Sequence, residues 1–304
     1  QKEDRYIHVG IAVYDRSDTF MESYIRELED KIGQTRILGK KVSYEIYDAE
    51  GIGSRQEKQL QEMYAQDYDV MLVNLVEPAS AAGVLTDAKD ADIPVILFNR
   101  EIDEKDLKIS KNVWYVGTDA RAAGVMQGKL LKDLWKKQSR ILDWNGNGML
   151  DYVLVEGEES HFDAIRRTSG FLETGAELPL NQKGNILAEW KRELAYEKFA
   201  ALDDEAVQNV EAVICNNDDM ALGVYDYYKE KNLKLPVIIG INNSEEMHQK
   251  IMSGEMYGTI DNKMEDQVME ICRLMQAILK KDTGSYQKVW YSTPKAIVKA
   301  EGTE

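Results

Sequence analysis

Asparagine and aspartate residues stand directly after several strand-like apolar runs of this 304-residue sequence. In an open α/β sheet, ligands bind beyond the carboxyl ends of the strands, so these positions are the first candidates for a site. Amide and carboxylate groups supply the fixed donors and acceptors that a polyhydroxylated ligand needs. The same residue types also cap helices and form turns, and for any single position that alternative stays open. The candidates are Asn99, Asn216, Asn217, Asp218, Asp219, Asn242, Asn243, Asp261 and Asn262.

Two further motifs combine acids with residues that begin helices. Thr19 and Glu22 have the spacing of a capping box, which would make Asp18 a helix-entry acid. Further along, Asp163 and Arg167 are four residues apart and therefore share one helix face. Taken alone, a helix cap explains the first motif and a surface ion pair the second better than ligand binding does.

The segment 143–151 has the pattern of a calcium-binding loop. Oxygen-bearing side chains occupy positions one, three, five and nine of the loop, and Gly148 at position six permits the sharp turn. Met149 would contribute its backbone carbonyl, whereas position twelve is Leu154 instead of the usual bidentate glutamate. A strand predicted from Tyr152 argues against a true EF-hand, and a surface loop rich in Asn and Gly is the alternative. The candidate side chains are those of Asp143, Asn145, Asn147 and Asp151.

No motif of a known catalytic chemistry accompanies these residues. The sequence contains no GxSxG, HExxH or Walker loop, and its three histidines are scattered along the chain. An enzyme stays open only as a glycosidase in which Asp18, Asp163 and Asp219 supply the paired acids. We therefore expect a binding protein, not an enzyme.

Composition excludes some partners. A net charge of −16, from 54 acidic and 38 basic residues, argues against nucleic acid, because phosphate binding depends on clustered Lys and Arg. No apolar run approaches the roughly 20 residues that a membrane-spanning helix requires.

The two cysteines and the start of the sequence bear on the compartment. Cys215 and Cys272 fit no zinc or CxxC spacing, so we expect buried free thiols, and a disulfide stays open. The sequence begins without an apolar signal core, which predicts either a cytosolic protein or one whose export segment was removed.

The elements that would position these residues alternate between strands and helices, which predicts βαβ units and parallel sheets. After the loop at 143–148 the rhythm begins again, so we predict two doubly wound α/β lobes. A helix from Met264 to Lys280 and a strand-like tail from Val289 to Val298 could return to either lobe. The predicted strands are Ile7 to Val13, Val42 to Tyr47, Val70 to Leu75, Pro94 to Phe98, Val113 to Val116, Tyr152 to Val155, Asn185 to Ala188, Ala212 to Cys215, Val237 to Ile241 and Tyr257 to Ile260.

A series of short motifs resembles the galactose/glucose-binding proteins of bacterial ABC transporters, which have the periplasmic binding protein type I fold. No single motif carries the resemblance, but the series occurs in the family's order and approximate spacing over essentially the whole chain. The motifs are Val9 to Tyr14, Asp18 to Met21, Asn74 to Pro78, Leu97 to Glu101, Tyr115 to Asp119, His161 with Asp163, Cys215 to Asp218 and Gly258 to Asn262.

The resemblance implies the residues of a sugar site. Phe20 and Trp190 would sandwich the pyranose ring. Asn242 departs from the family, which usually has an aspartate there, so a neutral amide replaces a charged acceptor. The residues that would bond the sugar hydroxyls and ring oxygen are Asp18, Asn99, His161, Asp163, Arg167, Asn217, Asn242 and Asn262.

The resemblance also implies calcium in the loop 143–151, completed by a distant glutamate that matches Glu211. It implies two lobes, residues 1–118 with 263–291 and residues 119–262 with 292–304, joined by a three-stranded hinge, with the sugar in the cleft between them. The chain would cross near Thr118, Asn262 and Ser292. Hinge closure over D-galactose or D-glucose would then present the sugar to the transporter's membrane subunits.

The same resemblance sets expectations for partners and location. We expect an exported monomer, periplasmic or extracellular, that a lipidated cysteine ahead of Gln1 would anchor as a lipoprotein, and a chemoreceptor as a further partner. The rival is the effector-binding core of a sugar-responsive repressor, which shares this architecture. A repressor needs a helix-turn-helix before the first strand, where this sequence has five residues ahead of Tyr6.

Overall fold

The computed structural model describes residues 5–299 and divides the chain into two compact units. The first unit contains the chain up to Thr118 together with Lys263–Ser292, and the second contains Asp119–Asn262 together with the chain from Thr293. The chain therefore passes between the units three times. Ser292 belongs to the first unit, one residue beyond the expected boundary, because its strand pairs with the strand that ends at Thr118.

The first unit is built on a seven-stranded sheet. Its strands are β1 Tyr6–Val13, β2 Arg36–Ile37, β3 Lys40–Asp48, β4 Val70–Val73, β5 Val95–Phe98, β6 Val113–Thr118 and β12 Val289–Ser292. Its helices are α1 Thr19–Gln34, α2 Gly53–Tyr64, α3 Ala81–Asp90 and α10 Met264–Leu279, with short 3₁₀ helices at Pro78–Ser80 and Glu104–Ile109. The strand order is β12-β6-β5-β4-β1-β3-β2, and every pairing except that of β2 with β3 is parallel.

The second unit is built on a six-stranded sheet. The strands are β7 Leu150–Glu156, β8 Leu180–Leu187, β9 Ala212–Cys215, β10 Val237–Ile239, β11 Gly258–Asp261 and β13 Lys295–Val298. The helices are α4 Ala120–Leu142, α5 Phe162–Gly175, α6 Arg192–Ala200, α7 Asp204–Asn209, α8 Asp218–Glu230 and α9 Glu245–Met252. The strand order is β13-β11-β10-β9-β7-β8, and every pairing except that of β13 with β11 is parallel.

Successive side chains of a strand point to opposite faces of its sheet, and helices cover both faces of each sheet. The central strands are therefore buried on both sides. In β4, Val70 and Leu72 pack with α1 and α10, whereas Met71 and Val73 pack with α2 and α3. In the second unit, one face packs against α6 and α8, and the other packs against α4 and α5. Burial of such aliphatic side chains stabilises each unit by about 1.5–3 kcal/mol per residue.

Two glycines let α4 and α5 approach closely. A Cβ on Gly170 would lie 2.1 Å from the carbonyl oxygen of Arg121, and one on Gly124 would lie 1.9 Å from that of Arg167. No side chain fits at either position without moving a backbone. The contact fixes α5, the helix that carries several of the predicted site residues.

The two predicted α/β lobes are confirmed. The tail, for which the pattern left both lobes open, contributes one strand to each of them. Residues 289–298 form β12 in the first sheet and β13 in the second, not one strand. Helix α10 packs against α1 in the first unit. Cys215 and Cys272 are buried free thiols, and burial raises the pKa of each. Among residues 5–299, no helix has the length and apolar character needed to cross a bilayer.

Candidate functional site

In the first unit, Asn74 ties together the carboxyl ends of three neighbouring strands. It follows β4, its Oδ1 accepts the backbone N–H of Tyr14 after β1 at 3.0 Å, and its Nδ2 donates to the carbonyl of Phe98, the last residue of β5, at 3.2 Å. Asp18 and Asn99 come from the loops that follow β1 and β5. Because these strands are parallel neighbours, the two residues of this unit that are predicted to bond the sugar lie at the same end of the sheet.

Asp18 is the N-cap of α1. Its Oδ1 accepts the backbone N–H of Met21 at 2.8 Å, and its Oδ2 accepts the hydroxyl of Tyr14. Burial raises the pKa of Asp18, although these bonds and the charge of Arg100 oppose the shift. The capping box predicted from Thr19 is wrong, because Asp18 fills the cap position and Thr19 is the first helical residue.

Arg100 is a feature that the polar-residue pattern did not single out. Its guanidinium lies 4.0 Å from the centroid of the Tyr14 ring, and its Nη1 donates to the carbonyls of Leu75 and Val76 at 3.0 and 2.9 Å. Arg100 therefore braces Tyr14, which in turn bonds Asp18.

Phe20 and Asn99 are linked through a stack of aromatic rings. The rings of Phe20 and Tyr24 lie edge to face at 6.0 Å, and Tyr24 stacks on Phe98 at 5.3 Å. Asn99 follows Phe98 with φ +64°, a left-handed conformation that Asn tolerates better than most residues. Its backbone N–H donates to Val116 at 2.9 Å, which fixes the turn.

In the second unit, Trp190 is the centre of a cluster of predicted ligands. His161 packs edge-on against its ring with centroids 6.1 Å apart, and the guanidinium of Arg167 lies 5.5 Å from the ring centroid. Asn217 Nδ2 donates to the Trp190 carbonyl at 3.1 Å, and the indole Nε1–H donates to Glu158 at 2.8 Å. Four of the predicted sugar residues are thus neighbours.

His161, Asp163 and Arg167 begin α5 at the carboxyl end of β7. His161 is the N-cap, and its Nδ1 accepts the backbone N–H of Asp163 at 3.2 Å and lies 3.3 Å from Asp163 Oδ2. Both side chains are almost fully buried. Arg167 Nη1 donates to the carbonyl of Asn216 at 2.7 Å, so this arginine contacts the loop after β9. The prediction of an ion pair on the surface is wrong in its location, because Asp163 is buried and Arg167 is half-buried.

Three amides follow the adjacent strands β9, β10 and β11. Asn217 is the N-cap of α8, and its Oδ1 accepts the backbone N–H of Met220 at 2.9 Å. The backbone N–H of Asn242 donates to Ile260 at 2.8 Å, which brings it beside the strand that leads to Asn262. Asn242 Oδ1 is buried and has no hydrogen-bond partner among the described residues.

The loop 143–151 wraps around the carboxylate of Asp151. Asp151 Oδ2 accepts from the amides of Asn145 and Asn147 at 2.8 and 3.1 Å. Glu211 accepts the backbone N–H groups of Asp151, at 2.9 Å, and of Trp144. Burial raises the pKa of Glu211, and the charges of Asp151 and Asp143 add to the rise.

That loop contains oxygen donors of several kinds. Asp143 Oδ1 and Oδ2 accept the backbone N–H groups of Asn147 and Gly148, at 3.1 and 2.8 Å. Gly146 and Gly148 have φ +68° and +75°, which lets the loop turn back on itself. Between residues 5 and 299, no three His, Cys, Asp or Glu side chains form a metal-binding group, so any cation here would also need amide and carbonyl oxygens.

Two α/β units, each with polar and aromatic side chains at the carboxyl ends of its strands, are the architecture of the periplasmic binding protein type I fold. The chain belongs to the periplasmic binding protein domain family, because the sequence model of that family matches residues 9–283. Membership implies an exported, periplasmic location, and the relatives of this family are sugar-binding proteins of transport systems.

Among curated relatives, the D-galactose/methyl-galactoside binding periplasmic protein of Haemophilus influenzae is 30% identical over 93% of this chain and 84% of its own. The galactofuranose-binding protein of Escherichia coli is 27% identical over 79% and 74%. The myo-inositol binding protein of Caulobacter, solved with myo-inositol, superposes with a TM-score of 0.80 at 24% identity, covering 96% of this chain and 93% of its own. That last likeness supports the fold alone.

Proposed function

We propose that this protein is the sugar-binding component of an ABC importer and that its ligand is D-galactose or D-glucose. The observation that carries the proposal is the cluster in which Trp190 contacts His161, Arg167 and Asn217. An indole face suits the C–H surface of a pyranose, while the imidazole, guanidinium and amide around it suit the hydroxyl groups. Asp163 adds a charged acceptor beside His161.

The name of the Haemophilus influenzae relative favours galactose, whereas the other two proteins are named for galactofuranose and for myo-inositol. Asn242 is the position at which this chain departs from the expected galactose/glucose pattern. A hydrogen bond to a neutral amide contributes about 0.5–1.5 kcal/mol, against about 1.5–3 for one to a charged group. We expect binding of the same sugar with lower affinity.

We propose that the sugar is bound by both units at once. The first unit would contribute Asp18, Phe20 and Asn99, and the second unit would contribute the Trp190 cluster, Asn242 and Asn262. A ligand that bonds to two units stabilises their closed arrangement only by the difference between its affinities for closed and open forms. The three connections between the units would act as the hinge.

The closed form would be recognised by the membrane subunits of the importer and by a chemoreceptor. We expect the receptor to act as a monomer. Anchoring as a lipoprotein stays a prediction from the resemblance.

We also propose a structural calcium ion in the loop 143–151. Asp143, Asn145, Asn147, Asp151 and Glu211, with the Met149 carbonyl, would supply oxygen ligands of the kind that calcium prefers. Binding would require the amides of Asn145 and Asn147 to turn their oxygens towards the ion. The buried acidic charges around Glu211 favour the fit, because a cation would relieve their mutual repulsion.

A chelator tests the calcium proposal. We expect EDTA to lower the unfolding midpoint by about 5 °C or more and calcium, but not magnesium, to restore it. The Glu211→Gln variant should lose the response to calcium. An unchanged midpoint in EDTA would contradict the proposal without touching the sugar site.

Thermal unfolding against a sugar panel tests the function. The panel contains D-galactose, D-glucose, D-ribose, D-xylose and a β-galactoside. A ligand at 1,000 times its dissociation constant stabilises the native state by about 4 kcal/mol. We expect a large upward shift with galactose or glucose; shifts with pentoses alone would overturn the sugar assignment.

A further inference from the structure

Asp218 is a buried carboxylate that joins three elements of the second unit. It is the first residue of α8 and is 1% exposed. Its Oδ1 accepts the hydroxyl of Thr259 in β11 at 2.6 Å, and its Oδ2 accepts the backbone N–H of Ser244, the N-cap of α9, at 2.8 Å. Its own backbone N–H donates to Ile241 at 2.9 Å. Asp218 therefore bonds both ends of the loop 241–244, Ser244 through its carboxylate and Ile241 through its backbone N–H.

That loop has an unfavourable backbone. Asn242 has φ +131°, a conformation that costs a non-glycine residue about 1–3 kcal/mol and persists only where the surroundings impose it. Asn243, at φ +56°, is in the left-handed region that Asn tolerates better than most residues. Backbone contacts hold both residues: Asn242 N–H donates to the carbonyl of Ile260, and Asn243 N–H donates to Thr259 Oγ1 at 3.3 Å. The Asn243 side chain also bonds Asp261 and His248, whereas the Asn242 side chain has no such anchor for its Oδ1 among the described residues. Thr259 thus accepts from the loop and donates to Asp218.

We propose that Asp218 is a positioning residue of the sugar site, whose carboxylate acts with the Thr259 hydroxyl to hold Asn242 in its ligand-binding orientation. The inference rests on the proposed function, since it requires Asn242 to meet the sugar. The Asn242 Oδ1 is buried and has no hydrogen-bond partner among the described residues, so it is the acceptor that a sugar hydroxyl would satisfy.

The chain keeps this charge in its interior at a cost. Burial raises the pKa of Asp218 to about 6, while the Thr259 hydroxyl and the Ser244 N–H oppose the rise. The neighbouring charge of Asp219 adds to it. Space is also reserved for the carboxylate, because a Cβ on Gly240 would lie 2.2 Å from Asp218 Oδ1. An ionised group with two donors fits a role in holding a strained loop.

Calorimetric titration with D-galactose or D-glucose, whichever the wild type binds, tests the proposal through matched pairs. Thr259→Val removes the bridging hydroxyl, and we expect about tenfold or greater loss of affinity, whereas Thr259→Ser should restore binding to within about twofold of the wild type. Asp218→Asn should lose a similar factor. Glu245→Gln, which removes an exposed acidic charge next to Ser244, is the control and should stay within about twofold.

A double-mutant cycle separates positioning from general stabilisation. In a chain that carries Asn242→Gly, Asp218→Asn should cost less than about twofold, because the side chain that it positions is gone. Additive losses would overturn the inference, as would wild-type affinity in Thr259→Val. A wild type that binds no sugar would overturn the proposed function itself. A wild type that binds sugar, with variants that bind it equally well, would overturn only this inference.

Discussion

At the scale of single residues, the candidate ligands also have structural tasks. Asp18, His161 and Asn217 are the N-caps of α1, α5 and α8, so capping and ligand binding are not alternatives at these positions. The reason is geometric, because each helix of a βα unit begins at the strand end where ligands bind. The general expectation that Asn and Asp residues at strand ends cap helices is confirmed for Asn217, and it does not exclude a role in ligand binding. The cap at His161 was not predicted.

Some residues of the site could not be predicted from pattern. Asn74 and Arg100 act through strand ends and an aromatic ring that are distant in sequence. No periodicity marks a side chain whose partners come from other strands. The strand-end asparagines were visible because the feature that they share, an amide after an apolar run, is local.

Restoring the charged acceptor at position 242 should strengthen binding. We expect Asn242→Asp to raise affinity for D-galactose or D-glucose by about tenfold, since a charged acceptor adds roughly 1.4 kcal/mol to a hydrogen bond. Asn232→Asp, in an exposed turn that also has positive φ, changes net charge equally and should leave affinity unaltered. Weaker binding by Asn242→Asp, measured by calorimetry, would contradict the assignment of this residue.

Removal of the indole should cost more than altering it. We expect Trp190→Ala to weaken sugar binding by about 100-fold, because it deletes the apolar face and the ring contacts of His161 and Arg167. Trp190→Phe keeps an aromatic face and loses the bond to Glu158, so it should cost only about tenfold. Equal affinities of the two variants would show that no ring face meets the sugar.

At the scale of elements, the core strands were predictable and the edges less so. β4 and β5 are short, buried apolar runs and lie close to their predicted positions. β8 extends from Leu180 to Leu187, whereas the predicted strand covered only Asn185 to Ala188. The first half of β8 was missed because it is polar, and it can be polar because β8 is an edge strand of the sheet. An edge strand needs no apolar pattern on its exposed side, so composition hides it.

The contact between α4 and α5 predicts a sensitive position. We expect Gly170→Ala to destabilise the second unit by about 1–3 kcal/mol, because its new methyl meets the backbone of Arg121. Chemical denaturation measures the change. Gly33→Ala, where a Cβ meets nothing within 4 Å, is the control and should not destabilise. Wild-type stability in Gly170→Ala would mean that the two helices are not in such close contact.

Asp218 predicts a pH dependence of stability. Its pKa is about 6 in the folded chain and 3.8 in its ordinary state, so between these values the folded form binds the proton more tightly. The stability that this proton contributes is present below pH 3.8 and is lost as pH rises through about 6. The unfolding free energy of the wild type should therefore fall relative to Asp218→Asn between pH 4 and 7, by roughly 3 kcal/mol. A difference that does not change with pH would contradict the buried charge.

At the scale of the whole molecule, the alternation of strands and helices predicted two α/β lobes but not how the tail divides. Periodicity describes one element at a time and does not state which sheet it joins. α10 and β12 return to the first unit, and β13 joins the second. Within the first unit, Gln267 Nε2 donates to the hydroxyls of Thr118 and Ser292 at 2.7 and 3.2 Å, at the two points where the chain leaves this unit. Only the fold brings these residues together.

Hinge closure predicts a change of size on binding. We expect small-angle X-ray scattering to give a smaller radius of gyration with saturating sugar than without it, because a ligand held by both units favours their closed form. Trp190→Ala at the same sugar concentration should remain extended. An unchanged radius for a wild type that binds sugar would contradict closure.

The most direct test of the central claim is calorimetric titration of the wild-type protein with D-galactose and D-glucose, followed by chromatographic recovery of the sugar. A receptor binds about one sugar per chain and returns it unchanged, which is the result that we predict for at least one of the two. No heat with either sugar, or a sugar recovered in altered form, would contradict the assignment as a galactose/glucose receptor.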